Sequence, residues 1–309
     1  MNGSMQRRNK RIKLRYGENP NQESYLEIFS SSSIFDYQIS GKKISYNNII
    51  DIDSGLKCLS EFIEPTCIIV KHTNPCGVAS SKNINQAFKR SYMSDTKSAF
   101  GGIVLMNRKI NINLAKVLIK NFFEVIVAPS FDLKAIDILK KKKRLILLKL
   151  GVYKNLIIEN RSTVFGNLYQ KRDLSKINKN FIKLKSKKKA SKKNLDDLIF
   201  SIKIVKHLKS NAIVLSKNKQ TVGLGNGQTN RVDALKLALK NMRKNFNSVG
   251  FVCASDGFFP FIDSISLLKK NGCKIMAQPS GSINDNKILN YSVKNRLSLY
   301  YIKNRLFKH

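Results

Sequence analysis

Short, almost wholly apolar runs alternate along this chain with longer stretches in which apolar residues return every three or four positions. Residues 66–70, 102–106, 125–128 and 145–149 are runs of the first kind and predict buried strands. Residues 84–92, 112–121 and 133–141 carry the helical period between them. From residue 44 to residue 150 the alternation predicts βαβ units and a largely parallel sheet. Residues 171–194 interrupt it with a polar, lysine-rich stretch read as a linker or exposed excursion. The pattern then resumes, with helical period over 195–208, 232–243, 261–270 and 285–293. Strand-like runs lie at 211–216, 220–223, 249–254 and 274–277. The chain therefore reads as two α/β units, residues 13–170 and 195–309, behind a short extension over 1–12. Each half also sets a Pro-small-Gly turn just beyond a strand, Asn74-Pro75-Cys76-Gly77 and Gln278-Pro279-Ser280-Gly281, as an internal duplication would.

Composition adjusts this picture in a few places. A chain of 309 residues with 42% apolar content can bury a large core. No apolar run is long enough for a membrane span, and residues 1–8 lack the apolar segment of a secretory signal. Five scattered cysteines without a C-x-x-C pair suit a reducing compartment, so a soluble cytoplasmic protein is expected. The charge is the anomaly: 57 Lys and Arg against 20 Asp and Glu, a net of +37. Such a field attracts nucleic acid and small anions alike. Aromatic residues are not interleaved with the lysine blocks at 140–144 and 183–193, as a single-strand stacking platform requires. Lysine is abundant beside asparagine and isoleucine throughout, the mark of drift in an AT-rich coding genome. Nucleic-acid binding on a repurposed scaffold is thus the alternative and not the leading reading.

Polar clusters at predicted strand ends carry the candidate chemistry. The 66–70 run emits Lys71 and His72 into an Asn-Pro turn, placing a cation and a base where open α/β sheets bind ligands. A histidine hydrogen-bonded in an ordinary turn would look the same. Leu14-Arg15-Tyr16-Gly17-Glu18-Asn19-Pro20 offers a planar guanidinium, and Ser98-Ala99-Phe100-Gly101-Gly102 permits close backbone approach. Gly223-Leu224-Gly225-Asn226-Gly227-Gln228 lacks the sixth-position glycine of a dinucleotide fingerprint, leaving a phosphate cradle or a plain turn. The aromatics of Ser255-Asp256-Gly257-Phe258-Phe259-Pro260-Phe261 suit either a core or stacking on a flat heterocycle. A zinc deaminase needs H-x-E with P-C-x-x-C, and neither His72-Thr73-Asn74 nor Cys76-Gly77-Val78-Ala79 supplies it.

Seven co-linear blocks from Lys13 to His309 resemble the transformylase domain of the bifunctional purine biosynthesis family. They are L-R-Y-G-E-N-P, K-H-x-N-P-C-G, S-A-F-G-G, K-S-N-A-I-V, G-x-G-x-G-Q-x-x-R-V, S-D-x-F-F-P-F and P-S-G-S. The resemblance implies duplicated cytidine-deaminase-like α/β subdomains without zinc. It implies formyl transfer from 10-formyltetrahydrofolate, as cosubstrate, to the amine of 5-aminoimidazole-4-carboxamide ribonucleotide. Some relatives bind a monovalent cation as well. About a dozen residues precede the first block, so a separate IMP cyclohydrolase is expected to close the ring.

By that resemblance His72 accepts the amine proton, Lys71 stabilises developing charge, and Asn211 orients the reacting groups. Arg15, Tyr16, Gly101, Glu124, Arg231, Phe258 and Arg305 fall at ribonucleotide-contacting positions, and Val232, Asp263, Ser282 and Ile283 at folate-side positions. A homodimer with shared active sites is implied, because Asn211, Arg231 and Val232 stand where relatives reach into the partner's site. Ile262 departs from the family pattern, which carries arginine there.

Overall fold

The computed structural model describes residues 10–28, 32–151, 157–246 and 250–309. Its first elements are a separate hairpin, β1 (Lys10–Lys13) with β2 (Tyr25–Ile28). The first half continues through β3 (Gln38–Ser40), α1 (Tyr46–Leu59), β4 (Thr66–Lys71), β5 (Asn74–Ser80), α2 (Ile84–Ser94) and α3 (Thr96–Ala99). It closes with β6 (Gly102–Met106), α4 (Ile112–Leu118), β7 (Phe123–Ala128), α5 (Leu133–Lys140) and β8 (Ile146–Lys149). A second isolated hairpin, β9 (Ile158–Thr163) with β10 (Gly166–Lys171), leads to the second half. That half runs β11 (Ile182–Leu184), α6 (Lys192–Val205), β12 (Ile213–Lys217), β13 (Gln220–Gly225), α7 (Arg231–Asn245) and β14 (Val252–Ser255). It ends with α8 (Ile262–Lys270), β15 (Ile275–Pro279), α9 (Asp285–Lys294) and β16 (Ser298–Ile302).

One 12-stranded sheet carries both halves, in the order β11-β16-β15-β14-β12-β13-β5-β4-β6-β7-β8-β3. Each half repeats one scheme: an antiparallel hairpin (β4–β5, β12–β13), then a strand antiparallel to the hairpin's first member (β6, β14). Two parallel strands follow, and an antiparallel edge strand ends the row. The expectation of a largely parallel sheet is therefore corrected to a mixed sheet, since parallel pairing is confined to β6–β7–β8 and β14–β15–β16. What escaped the pattern was β5, because Asn74-Pro75-Cys76-Gly77 has turn composition. Instead of a turn, these residues start a strand whose Pro75 sits beside a register shift, where its missing N–H costs no ladder bond. Gly77 is required there: a Cβ would stand 2.2 Å from the Ser91 carbonyl oxygen of α2. Within residues 171–194, β11 forms the sheet edge and Phe181 is buried. The strand expected from residue 249 begins at Val252, and Val249 itself lies outside the described residues.

Period-2 alternation along the strands divides the core into layers. Ile68 and Val70 of β4 face α1 and α6, whose Ile52, Leu56, Leu198 and Ile202 form one apolar cluster spanning both halves. Cys67 and Ile69 face the opposite side, against α2, α4 and α5. Ile213 and Leu215 of β12 likewise face α7, α8 and α9. Helices thus cover both faces, and α1 lies close enough to the sheet that a Cβ on Gly55 would meet Leu105 Cδ1 at 2.3 Å.

Candidate active site

The β4–β5 connection is two residues long, with His72 at φ 51° and Thr73 at φ 63°. Positive φ at both central residues is the type I′ geometry that matches strand twist. The turn exposes His72 at its tip, while Lys71 is half-buried at the end of β4. Lys71 Nζ donates to the Phe100 carbonyl at 2.8 Å, and Gly101 N donates to the Phe122 carbonyl at 2.9 Å. Gly101 stands at φ 67°, and a Cβ there would sit 3.1 Å from Lys71 Nζ. Exposed Phe100 and Phe122 pack ring against ring, with centroids 5.0 Å apart, beside the ammonium.

Glu124, on β7, accepts from Lys42 Nζ and Asn48 Nδ2, both at 3.1 Å. Burial works to raise its carboxyl pKa. The hydrogen bonds of Asn48 and Lys42, with the charges of Lys42 and Lys71, prevail and hold it below its ordinary value. Asn48 is placed by the capping box it makes with Ser45 at the start of α1. Arg15 and Tyr16 pair with each other, guanidinium 5.3 Å from the ring centroid. Their loop is tied to α1 by a 3.1 Å hydrogen bond from Asn47 Nδ2 to the Glu18 carbonyl.

Between the halves, β5 and β13 share only the Ala79–Gln220 register pair. Thr221 Oγ1 then bridges Val78 N and O, and the strands part toward the His72 end. The gap is a cavity of about 270 Å³, bordered by Lys71, His72, Asn74 and Cys76 on one side and Gly223, Leu224 and Asn226 on the other. In the glycine cluster, Gly223 and Gly225 answer to packing. A Cβ on Gly223 or Gly225 would strike the α7 carbonyls of Ala238 (2.3 Å) or Ala234 (1.9 Å), and Gly227 makes a turn at φ 67°. Burial pushes the Cys76 thiol up to about 12, so it is no thiolate nucleophile near neutral pH. Among the described residues no three of His, Cys, Asp and Glu group as metal ligands, and no helix is long and apolar enough to cross a membrane.

Asn211 belongs to a second cluster. Its side-chain oxygen accepts from Arg231 Nη2 at 2.7 Å, while its nitrogen donates to the carbonyls of Gln228 (2.9 Å) and Thr229 (3.2 Å). Arg231, the first residue of α7, is buried, forms an ion pair with buried Asp256, and donates to Ser255 Oγ at 2.9 Å. Asp256 also accepts from Ser210 Oγ at 2.6 Å. The C-terminal strand-end closes over this cluster: Leu306 N donates to the Asp256 carbonyl, and the Arg305 guanidinium lies 4.5 Å from the Phe307 centroid. The two clusters are joined by Asn74, which donates to the His72 carbonyl at 3.0 Å and accepts from Lys209 N at 3.1 Å.

Of the residues expected on the folate side, Val232 is half-buried on α7, and Asp263 is exposed in the first turn of α8. Phe258 is half-buried whereas Phe259 is wholly buried in the core. Ile283 is fully exposed beside Ser282, and Asn284 Nδ2 ties their loop to the Pro260 carbonyl at 2.8 Å. Asn48, Asn74 and Asp256 were not singled out from the sequence. The latter two lie inside the recognised K-H-x-N-P-C-G and S-D-x-F-F-P-F blocks.

Residues 2–241 match the family model described as AICARFT/IMPCHase bienzyme. The chain is 43% identical over 304 residues to the bifunctional purine biosynthesis protein PurH of Caldicellulosiruptor bescii, covering 96% of this chain and 59% of that protein. It is 42% identical over 309 residues to PurH of Persephonella marina, covering 97% and 60%, and 42% identical over 301 residues to PurH of Wigglesworthia glossinidia brevipalpis, covering 95% and 57%. The chain thus spans about three fifths of the length of these relatives.

Proposed function

Because the chain belongs to the AICARFT/IMPCHase bienzyme family, we propose that it transfers the formyl group of 10-formyltetrahydrofolate to 5-aminoimidazole-4-carboxamide ribonucleotide. This is a formyltransferase step of purine biosynthesis. The observation that carries the reading is the pairing of Lys71 and His72 at the mouth of a polar cavity between the two halves. The repeated strand scheme supports a duplicated cytidine-deaminase-like unit, and the reading takes two copies of the chain as the working enzyme.

The substrate amine is a weak nucleophile, because its lone pair is delocalised toward the ring carboxamide. As its nitrogen bonds to the formyl carbon, His72 takes the amine proton and the carbonyl electron pair moves onto oxygen. Lys71 faces that oxygen. Its ammonium has three N–H groups and spends one on the Phe100 carbonyl, leaving two for developing charge. Collapse breaks the bond from the formyl carbon to N10, and the imidazole returns its proton to that nitrogen. Formamido ribonucleotide and tetrahydrofolate leave. Each of the two side chains can lower the barrier by about 3–5 kcal/mol. Asn211 orients the reacting groups, with Arg231 fixing its amide. Phe100 and Phe122 supply an exposed apolar surface beside Gly101, suited to an aromatic ring.

Ultraviolet monitoring of tetrahydrofolate production from the two substrates tests the proposal. His72→Ala is expected to lower kcat by about 10²–10⁴-fold. Its unfolding midpoint should not move, because the side chain is exposed. Folded wild-type protein without this activity would remove the proposal.

A further inference from the structure

Two hairpin turns in this fold are built on consecutive non-glycine residues in the left-handed region, and each is gripped by an aspartate of the preceding helix. In the second half, the Asn218 and Lys219 amides (φ 53° for both residues) donate to the two carboxylate oxygens of buried Asp197, on α6, at 2.7 Å each. In the first half, the Thr73 amide donates to Asp51 Oδ1, on α1, at 2.6 Å. Ser54, one helical turn further along α1, donates through Oγ to the Thr73 carbonyl at 2.5 Å. The two turns differ in what they present. The 218–219 turn lies at the far end of β5, where the Lys219 carbonyl accepts from Ser80 N. The 72–73 turn presents an exposed imidazole at the cavity.

We propose that Asp51 is a positioning residue for formyl transfer, acting through the His72–Thr73 backbone to keep His72 over the cavity. The inference rests on the function proposed above. A β-branched residue in the left-handed region persists only where its surroundings over-determine it, and Thr73 is such a residue. Asp51 and Ser54 supply that constraint from one face of α1. The helix itself is anchored independently, through Ile52 and Leu56 in the core and the close contact at Gly55. Loss of the carboxylate therefore frees the turn without freeing the helix.

Asp51→Ala removes the acceptor, whereas Asp51→Asn keeps an oxygen facing the Thr73 amide. For Asp51→Ala, kcat should fall about 10- to 100-fold, with both KM values within about twofold of wild type. The Thr73 amide should exchange with solvent faster in that variant, and Asp51→Asn should largely restore both readouts. Asp197→Ala should lower the unfolding midpoint and leave kcat near wild type. Ser54→Ala carries the same comparison, with a smaller loss, should Asp51→Ala not fold. Unchanged kcat despite lost Thr73 protection overturns the proposal. So does a kcat loss with Thr73 still protected, or an equal loss in Asp197→Ala. Failure of the function itself shows separately, as absence of formyl transfer in the folded wild type.

Discussion

Arg231 sets the orientation of Asn211: its guanidinium donates to the Asn211 side-chain oxygen at 2.7 Å, which turns the amide nitrogen toward the Gln228 and Thr229 carbonyls. Arg231 is in turn fixed by Asp256 and Ser255, both wholly buried. Gly257 makes room for it, since a Cβ there would stand 2.3 Å from Arg231 Nη2. The order of dependence runs from Asp256 through Arg231 to Asn211.

Asp256→Ala is expected to destabilise the protein by about 3–5 kcal/mol, because it leaves a buried guanidinium without its counter-charge. Denaturant unfolding measures this directly. Arg231→Met removes the buried charge that Asp256→Ala leaves unpaired, so combining the two should recover part of the loss. A double variant no more stable than Asp256→Ala would show that the ion pair is not the source of the effect.

Gly101 answers to two constraints, one of backbone and one of space. At φ 67° an L-side chain costs about 1–2 kcal/mol. The added methyl would also stand 3.1 Å from Lys71 Nζ. Gly101→Ala should therefore lower stability by that amount and also lower kcat by about tenfold or more, as the ammonium is displaced from the developing charge. A variant that is destabilised but turns over normally would place the oxyanion away from Lys71.

The strands with continuous apolar runs (β4, β6, β7, β8) were legible because burial on both faces leaves no polar position to obscure them. β12, whose first three residues are apolar and buried, was legible for the same reason. β5 was hidden, since its proline and glycine answer to the register shift and to α2 and not to a turn. β11 was hidden by lysines that suit a sheet edge, where charge discourages further pairing. At the site, Lys71, His72 and Gly101 stood out as motifs. Asp51 and Asn48 did not, because on α1 they look like ordinary polar helix positions. Their partners Thr73 and Glu124 are 22 and 76 residues away. Such contacts are products of the sheet's topology and leave no local trace.

A cluster outside the site is expected to contribute to the loss of stability in acid. His207 Nε2 and Lys206 Nζ, at the end of α6, meet Glu61 Oε1 at 3.2 Å and 3.1 Å, just past the end of α1. Burial holds His207 below its ordinary value of 6.5, against the pull of Glu61; Lys206 and Lys308 add to the lowering. For Glu61 burial works upward, but His207 and Lys206 outweigh it and hold the carboxyl below its ordinary 4.5. Both shifts act in the same direction. As pH falls below about 6.5 the unfolded chain takes up a proton at residue 207 that the native imidazole refuses, so stability declines. Below the ordinary Glu61 value the unfolded carboxylate protonates first, and stability declines again until the native carboxyl follows. The urea midpoint should be flat between about pH 7 and pH 8 and fall toward pH 5, each group contributing at most about 1.4 kcal/mol per pH unit. His207→Gln should flatten the upper part of that fall and leave the lower, Glu61-dependent part in place. A wild-type midpoint that rises between about pH 7 and pH 5.5 would mean that the imidazole is charged in the native state and that Glu61 stabilises it as an ion pair, and an unaltered slope in His207→Gln would mean that residue 207 is not the source of the fall.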